Sequence, residues 1–356
     1  MHRRHFLTLP GAAALASSPE SAAAAPPLLM KLGCQSAPTN EEHIRYLARY
    51  GVQGVCGFPQ VPPDRLYATA DELKEMREMV ERNHLTLDMI APPFLASISV
   101  DRDHHAAIML GQSPERDHDI EQLQTLIRNC AAAGVPAIKY NLCIVGDLRT
   151  PRVPGRGDCT YAAWRLSEAH LPPLTRAGRV DADTYWERVT YFLDRIIPTA
   201  NEYKVRMALH PNDPYVPDGF QGVDGVLGTV EGLKKFITIR ESPYHGLNFC
   251  QGTVSEMLED PGREIFDVIR YFGSRKKIFN VHFRNIRGRR SDFVEVYPDE
   301  GDIDFVKALA VYREVGYPYM IMPDHVPQAP GDPHGLQSFA YCYGYIRALM
   351  QAAAKA

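Results

Sequence analysis

The chain has 356 residues, 45% of them hydrophobic, with a formal net charge of −4 and a pI near 6.4. That is enough apolar material for a full core, and it leaves no basic footprint for nucleic acid. No run of about 18 apolar residues occurs, so no mature membrane span is expected.

The first residues read as an export signal. Arg3 and Arg4 precede a modest apolar stretch, LTLPGAAALA, and then the small-residue run from Ser21 to Ala25. This pattern predicts a twin-arginine signal over residues 1–25 and a periplasmic protein whose folded part spans 26–356. The seven cysteines, at 34, 56, 130, 143, 159, 250 and 342, are odd in number and form no dense framework. A disulfide scaffold is therefore not expected. Twin-arginine export carries folded proteins, which reconciles a reduced thiol with an exported location.

From residue 29 onward, short apolar runs alternate with segments of helical period. Strands are expected at 29–35, 54–58, 85–92, 137–143, 205–211, 246–252, 278–284 and 319–325. Helices are expected at 41–51, 70–83, 115–134, 181–203, 229–239, 264–273, 304–316 and 336–354. Gly51, Gly134, Gly273 and Gly316 fall at helix ends, as C′ residues do. Strict alternation of strand and helix predicts an α/β fold, a (β/α)8 TIM barrel. The alternative is a doubly wound open sheet, but no GxGxxG follows the first strand.

Four of these strands end on a group that can ligate a metal: His210, Cys250, His282 and Asp324, spaced 40, 32 and 42 residues apart. Each gap is about one strand plus a crossover helix and its loops. Four parallel barrel strands would therefore bring two imidazoles, a thiolate and a carboxylate to one mouth. That set suits a divalent cation. Each residue alone would more often be packing or a cap.

One connection is out of proportion, at about residues 147–180. Long loops in compact barrels often act as lids or substrate walls. Arg149, Arg156, Tyr161, Trp164 and Arg165 could meet a polyhydroxylated or anionic ligand there, or the segment could be a solvated excursion or subunit contact.

The segments IKYNLCIVGDLRT, MALHPNDP, NFCQGT, VHFRN, GDID and PDH occur in this order. Together they resemble the mannonate dehydratase family of xylose-isomerase-like TIM barrels. The resemblance implies Mn²⁺ or Fe²⁺ on His210, Cys250, His282 and Asp324, with Zn²⁺ possible on affinity grounds. It implies a lyase: a proton leaves C2 of a sugar acid, hydroxide leaves C3, and the enol becomes a 2-keto-3-deoxy acid. Asp324 and His325 form the implied catalytic pair, with His325 a proton-transfer group. Arg284, Asn141 and Tyr140 match positions expected at the substrate, with a strand-end salt bridge as the alternative for Arg284. Asp213 is expected to order its turn.

The chain also departs from the family pattern. The two-histidine segment after the second strand is replaced by GFPQVPPDR. Gly225 stands where an Arg is usual, Ala340 where a Tyr is, and Pro298 where a His is, although Glu295 is kept. Tyr341 and Tyr343 are nearby candidates to replace the missing tyrosine, or core aromatics of the last helix. Two other functions fit the same motifs: a sugar or keto-sugar isomerase or epimerase, and an exported sugar-binding protein without catalysis. The expected partner is a small sugar or sugar acid, and a homo-oligomer is possible.

Overall fold

A computed structural model describes residues 26–170 and 173–355, so the export signal expected over 1–25 lies outside the described residues. The strands, in chain order, are β1 (Lys31–Ser36), β2 (Gly54–Gly57), β3 (Thr86–Ile90), β4 (Ala137–Asn141), β5 (Thr150–Pro154), β6 (Thr160–Arg165), β7 (Arg206–His210), β8 (His245–Cys250), β9 (Ile278–His282), β10 (Asn285–Arg289), β11 (Asp292–Val296) and β12 (Met320–Met322). Eight of them close a barrel in the order β1-β12-β9-β8-β7-β4-β3-β2, every neighbouring pair parallel. These are the eight strands expected from the apolar runs.

The helices are α1 (Glu41–Arg49), α2 (Ala70–Arg82), α3 (Ala107–Leu110), α4 (Glu115–Ala133), α5 (Ala182–Tyr203), α6 (Val230–Phe236), α7 (Gln251–Ser255), α8 (Pro261–Ser274), α9 (Phe305–Glu314) and α10 (Leu336–Ala353). Several begin where a polar side chain takes up a free backbone N–H. Asn40, Asp181, Thr229 and Asp304 each accept from the residue three positions on. Thr69 and Glu72 form a reciprocal capping box at α2. Gly51, Gly134 and Gly316 have the positive φ expected past a helix end. Gly273 does not: it lies inside α8, where a Cβ would come within 2.5 Å of Val315 Cγ2. Helix packing, not chain reversal, requires glycine there.

Strand period two sorts side chains between two cores. Ile138, Tyr140, Met207, Leu209, Leu247 and Phe249 pack outward against the helices. Ala137 and Ala208 point inward, in a small cluster with Cys56, Met89, Met320 and Met322. On the same inward parity, Lys139, Asn141, His210 and Cys250 crown the C-terminal mouth.

The long excursion after β4 is not an open loop. It forms the β5–β6 hairpin, which pairs with the β10–β11 hairpin in a four-stranded antiparallel sheet, order β10-β11-β6-β5. Its side chains are bound by protein, which corrects their expected ligand role. Arg156 pairs with Asp299 at 2.5 Å, and Tyr161 donates to Glu300 at 2.5 Å. Trp164 packs edge-on against Phe220 at 5.9 Å, and Arg165 reaches Glu168 and Asp292. Arg149 turns under the sheet to Asp213, at 2.7 Å, and to Glu295.

Candidate functional site

β7, β8 and β9 end on His210, Cys250 and His282, and Asp324 follows β12. One ligand atom from each lies within 4.8 Å of the others, and all four residues are buried. His210 Nδ1 lies 2.7 Å from the carbonyl oxygen of Pro211, an acceptor that holds the proton on Nδ1 and frees Nε2. Burial first, and then Lys139 nearby, hold His210 below the usual imidazole range, which favours the neutral, ligating form. Cys250 caps α7, its sulfur 3.4 Å from the Thr253 N–H and 3.6 Å from Asp324 Oδ2.

His282 supplies the test of fit. Its Nδ1 is buried without a hydrogen-bond partner, 3.3 Å from Asp324 Oδ1 but outside bonding geometry. An orphaned ring nitrogen among a thiol, a carboxylate and a second imidazole is what a metal-ligand set looks like without its ion. Burial opposes ionisation of Asp324, but His282, His325 and Arg284 outweigh it and hold the carboxyl well below its usual range. The four residues therefore fit a divalent cation.

Beside this set lies a second cluster, Asp213, Glu295 and His325. His325 Nδ1 is 3.0 Å from Glu295 Oε1, while Nε2 is 3.9 Å from Asp324 Oδ2. The imidazole stays 41% exposed at the cavity wall. Burial works against its charge, but Glu295 and then Asp324 push its pKa up to about 10. The two carboxylates together outweigh burial.

Arg284 is not on that wall. It is 2% exposed, its guanidinium meets Asp213 and Glu256 at 2.9 Å each, and Glu295, and one of its nitrogens lies 2.6 Å from His325 Nδ1. Its position two residues past His282 carries it behind the site, so the expected substrate contact is corrected to the salt-bridge alternative. The glycine of NFCQGT makes this possible, since a Cβ at Gly252 would lie 2.2 Å from Arg284 Nε. Tyr140 is corrected as well. It has the opposite strand parity to Asn141, is fully buried, and packs on Phe192 of α5 at 5.5 Å. Asn141 does reach the mouth, where its amide donates to the Leu95 carbonyl at 3.3 Å.

The metal-ligand set opens into a cavity of about 390 Å³, with Gln35, Lys139, Asp147, Asp213 and His325 in its wall. Tyr343 also lines it, whereas Tyr341 lies outside against Tyr297 and Arg156. Lys139 and Gln35 were not singled out from sequence. Lys139 Nζ donates to Gln35 Oε1 at 2.5 Å, and Gln35 Nε2 donates to Asp324 Oδ1 at 3.0 Å. Among the described residues no carboxylate lies within ion-pair distance of Lys139. The signal that could have found both was the one that found the ligands: a polar group at or near the end of a barrel strand.

A family model described as D-mannonate dehydratase (UxuA) matches residues 166–356. A mannonate dehydratase from Thermotoga petrophila is 29% identical over 321 residues, 80% of this chain and 84% of that protein. The crystal structure of mannonate dehydratase from Streptococcus suis serotype 2 superposes with a TM-score of 0.77 at 26% identity, covering 91% of this chain and 93% of that one. A xylose isomerase domain protein from Planctomyces limnophilus, at 13% identity and a TM-score of 0.58, shares the fold.

Proposed function

Because this chain belongs to the D-mannonate dehydratase family of carbon–oxygen lyases, we propose that it removes water from a sugar acid, D-mannonate or a close relative, at the four-ligand site. One observation carries this reading: His210, Cys250, His282 and Asp324 converge within 4.8 Å, with His325 alongside at the open wall. A bound divalent cation supplies Lewis acidity toward the substrate's oxygens. The resemblance favours Mn²⁺ or Fe²⁺; thiolate and imidazole ligands also suit Zn²⁺.

The chain's own residues take the remaining roles. Lys139 is the ammonium at the cavity wall without a carboxylate partner, and it binds the substrate carboxylate. That ammonium stabilises the charge that develops as the C2 proton passes to solvent water in the cavity. Nδ1 of His325 is taken up by Glu295 and Arg284, so Nε2 is the nitrogen free to act on substrate. Kept protonated by Glu295 and Asp324, His325 delivers the proton that the departing C3 hydroxyl needs. Arg284 and Arg149 hold Glu295 and Asp213 in place behind it.

We also propose that residues 1–25 direct export by the twin-arginine route to the periplasm. Replacing Arg3 and Arg4 by Lys in a reporter fusion should abolish transport.

The catalytic reading is tested by incubating metal-loaded protein with D-mannonate and analysing the product. The expected product is a 2-keto-3-deoxy acid carrying one solvent deuterium at C3 when the reaction is run in D₂O. A changed stereocentre without loss of water would instead make the protein an epimerase, and saturable binding without turnover would make it a binding protein.

A further inference from the structure

We propose that a groove beside the metal cavity binds a second, neutral sugar unit, so that the preferred substrate is a glycosylated sugar acid rather than a free hexonate. The inference rests on the dehydratase reading above and specifies its substrate class.

The groove has a volume of about 490 Å³, and Phe58, Gln60, Val61, Ser97, His105 and Asn141 are among its lining residues. It is continuous with the metal cavity, because Phe58, Ser97 and Lys139 line both. Each space alone has the size of a small-molecule pocket. A six-carbon acid held at the metal and Lys139 would leave the groove to water.

The wall of the groove is GFPQVPPDR, residues 57–65. It is held firmly. The Phe58 N–H donates to Thr39 Oγ1 at 2.8 Å, and Arg65 makes two bonds to Glu72, at 2.8 and 2.6 Å. Pro59, Pro62 and Pro63 limit its backbone freedom further. A fixed wall loses little freedom on binding, which favours affinity.

The chemistry of the lining matches a carbohydrate. Phe58 and the prolines offer apolar faces to sugar C–H groups, while Gln60, Ser97 and Asn141 offer hydrogen-bonding groups to hydroxyls. No acidic side chain lines the groove among the described residues. Its arginine, Arg65, is already neutralised by Glu72. The second unit therefore needs no charge. Water is eliminated within the acid unit, and the glycosidic bond stays intact.

The test compares D-mannonate with 4-O- and 6-O-glucosyl-D-mannonate on metal-loaded enzyme. At least one glucosyl mannonate should show a kcat/KM roughly ten-fold or more above that of D-mannonate, about the worth of one or two good hydrogen bonds. Val61→Trp, which fills the groove, should raise KM for that substrate about ten-fold more than for D-mannonate. Gln60→Ala, at an exposed position, should move KM in the same direction without threatening the fold. Equal or better use of D-mannonate, with both variants leaving the ratio unchanged, would overturn the groove. If no sugar acid is turned over, the dehydratase reading fails. The groove is then judged by calorimetry: glucosyl mannonate should bind about ten-fold tighter than D-mannonate, and Val61→Trp should remove the difference. Equal affinity, or no binding of either, would overturn it.

Discussion

Glu295 Oε1 lies 3.0 Å from Nδ1 of His325, and the same carboxylate is gripped by Arg284 and Arg149 from behind. The acid that orients the imidazole is thus itself fixed by two cations, Arg284 buried and Arg149 partly buried. His325 keeps one nitrogen for the cavity and one for the scaffold.

Removing the imidazole should therefore cost turnover without costing metal. His325→Asn should lose about 10²–10⁴ in kcat while retaining its cation, the usual worth of a positioned acid–base group. Glu295→Gln should lose less, about 10–100-fold, because the imidazole stays in place but loses one of the two carboxylates that keep it protonated. Turnover assays paired with metal analysis check both. A fully active, metal-loaded His325→Asn enzyme would remove His325 from the mechanism.

His282 carries a prediction about metal affinity. Ligation through Nδ1 leaves the proton on Nε2, which lies 3.2 Å from the side-chain amide of Asn248. Asn248 now faces Nε2 with Nδ2 and accepts through Oδ1 from Asn280 at 2.6 Å, so this mode of ligation turns both amides and presents the Asn248 oxygen to Nε2–H. Asn248→Leu should weaken metal binding about 10–100-fold, and Asn248→Asp should restore much of it. Calorimetric titration of apoprotein with Mn²⁺ decides this; unchanged affinity in Asn248→Leu would mean that His282 binds otherwise.

How far sequence reaches is clear from the strand ends. The ligands were legible because each sits where an apolar run stops, and a 32–42-residue spacing places such ends at one mouth. Lys139 lies on the same parity but inside AIKYN, where one lysine looks like a solvated side chain. Tyr140 and Asn141 could not both face the pocket, because period two sends neighbours to opposite sides. The β5–β6 hairpin was hidden by its prolines and arginines and by a partner strand, β11, well over a hundred residues away. Arg284 was misplaced because its three carboxylate partners come from three separate segments.

Arg284 also dominates local stability. It is buried against Asp213, Glu256 and Glu295, so Arg284→Met would strand Glu256 and leave Asp213 and Glu295 to Arg149 alone. Breaking buried ion pairs in this way costs about 3–5 kcal/mol. Thermal unfolding should show a large drop in Tm, and a Tm within a degree or two of wild type would refute the buried network.

Acid sensitivity should come partly from His245, away from the metal. It is fully buried, with Nε2 2.9 Å from the Phe236 carbonyl oxygen, and burial lowers its pKa from 6.5 to about 4. The unfolded chain takes up this proton as pH falls below about 6.5, whereas the folded chain resists until about 4. The contribution is complete above the unfolded pKa and is lost as pH falls through that window, at up to roughly 1.4 kcal/mol per pH unit. His245→Gln should flatten the acid limb of stability against pH by one proton. An unchanged slope would show that His245 does not titrate on unfolding.

Anomalous diffraction from crystals of protein purified with Mn²⁺ locates the metal centre. One cation per chain is expected, about 2–2.5 Å from His210 Nε2, Cys250 Sγ, His282 Nδ1 and an Asp324 oxygen. A peak at Asp213, Glu295 and His325 instead, or no peak at the four ligands, would contradict it.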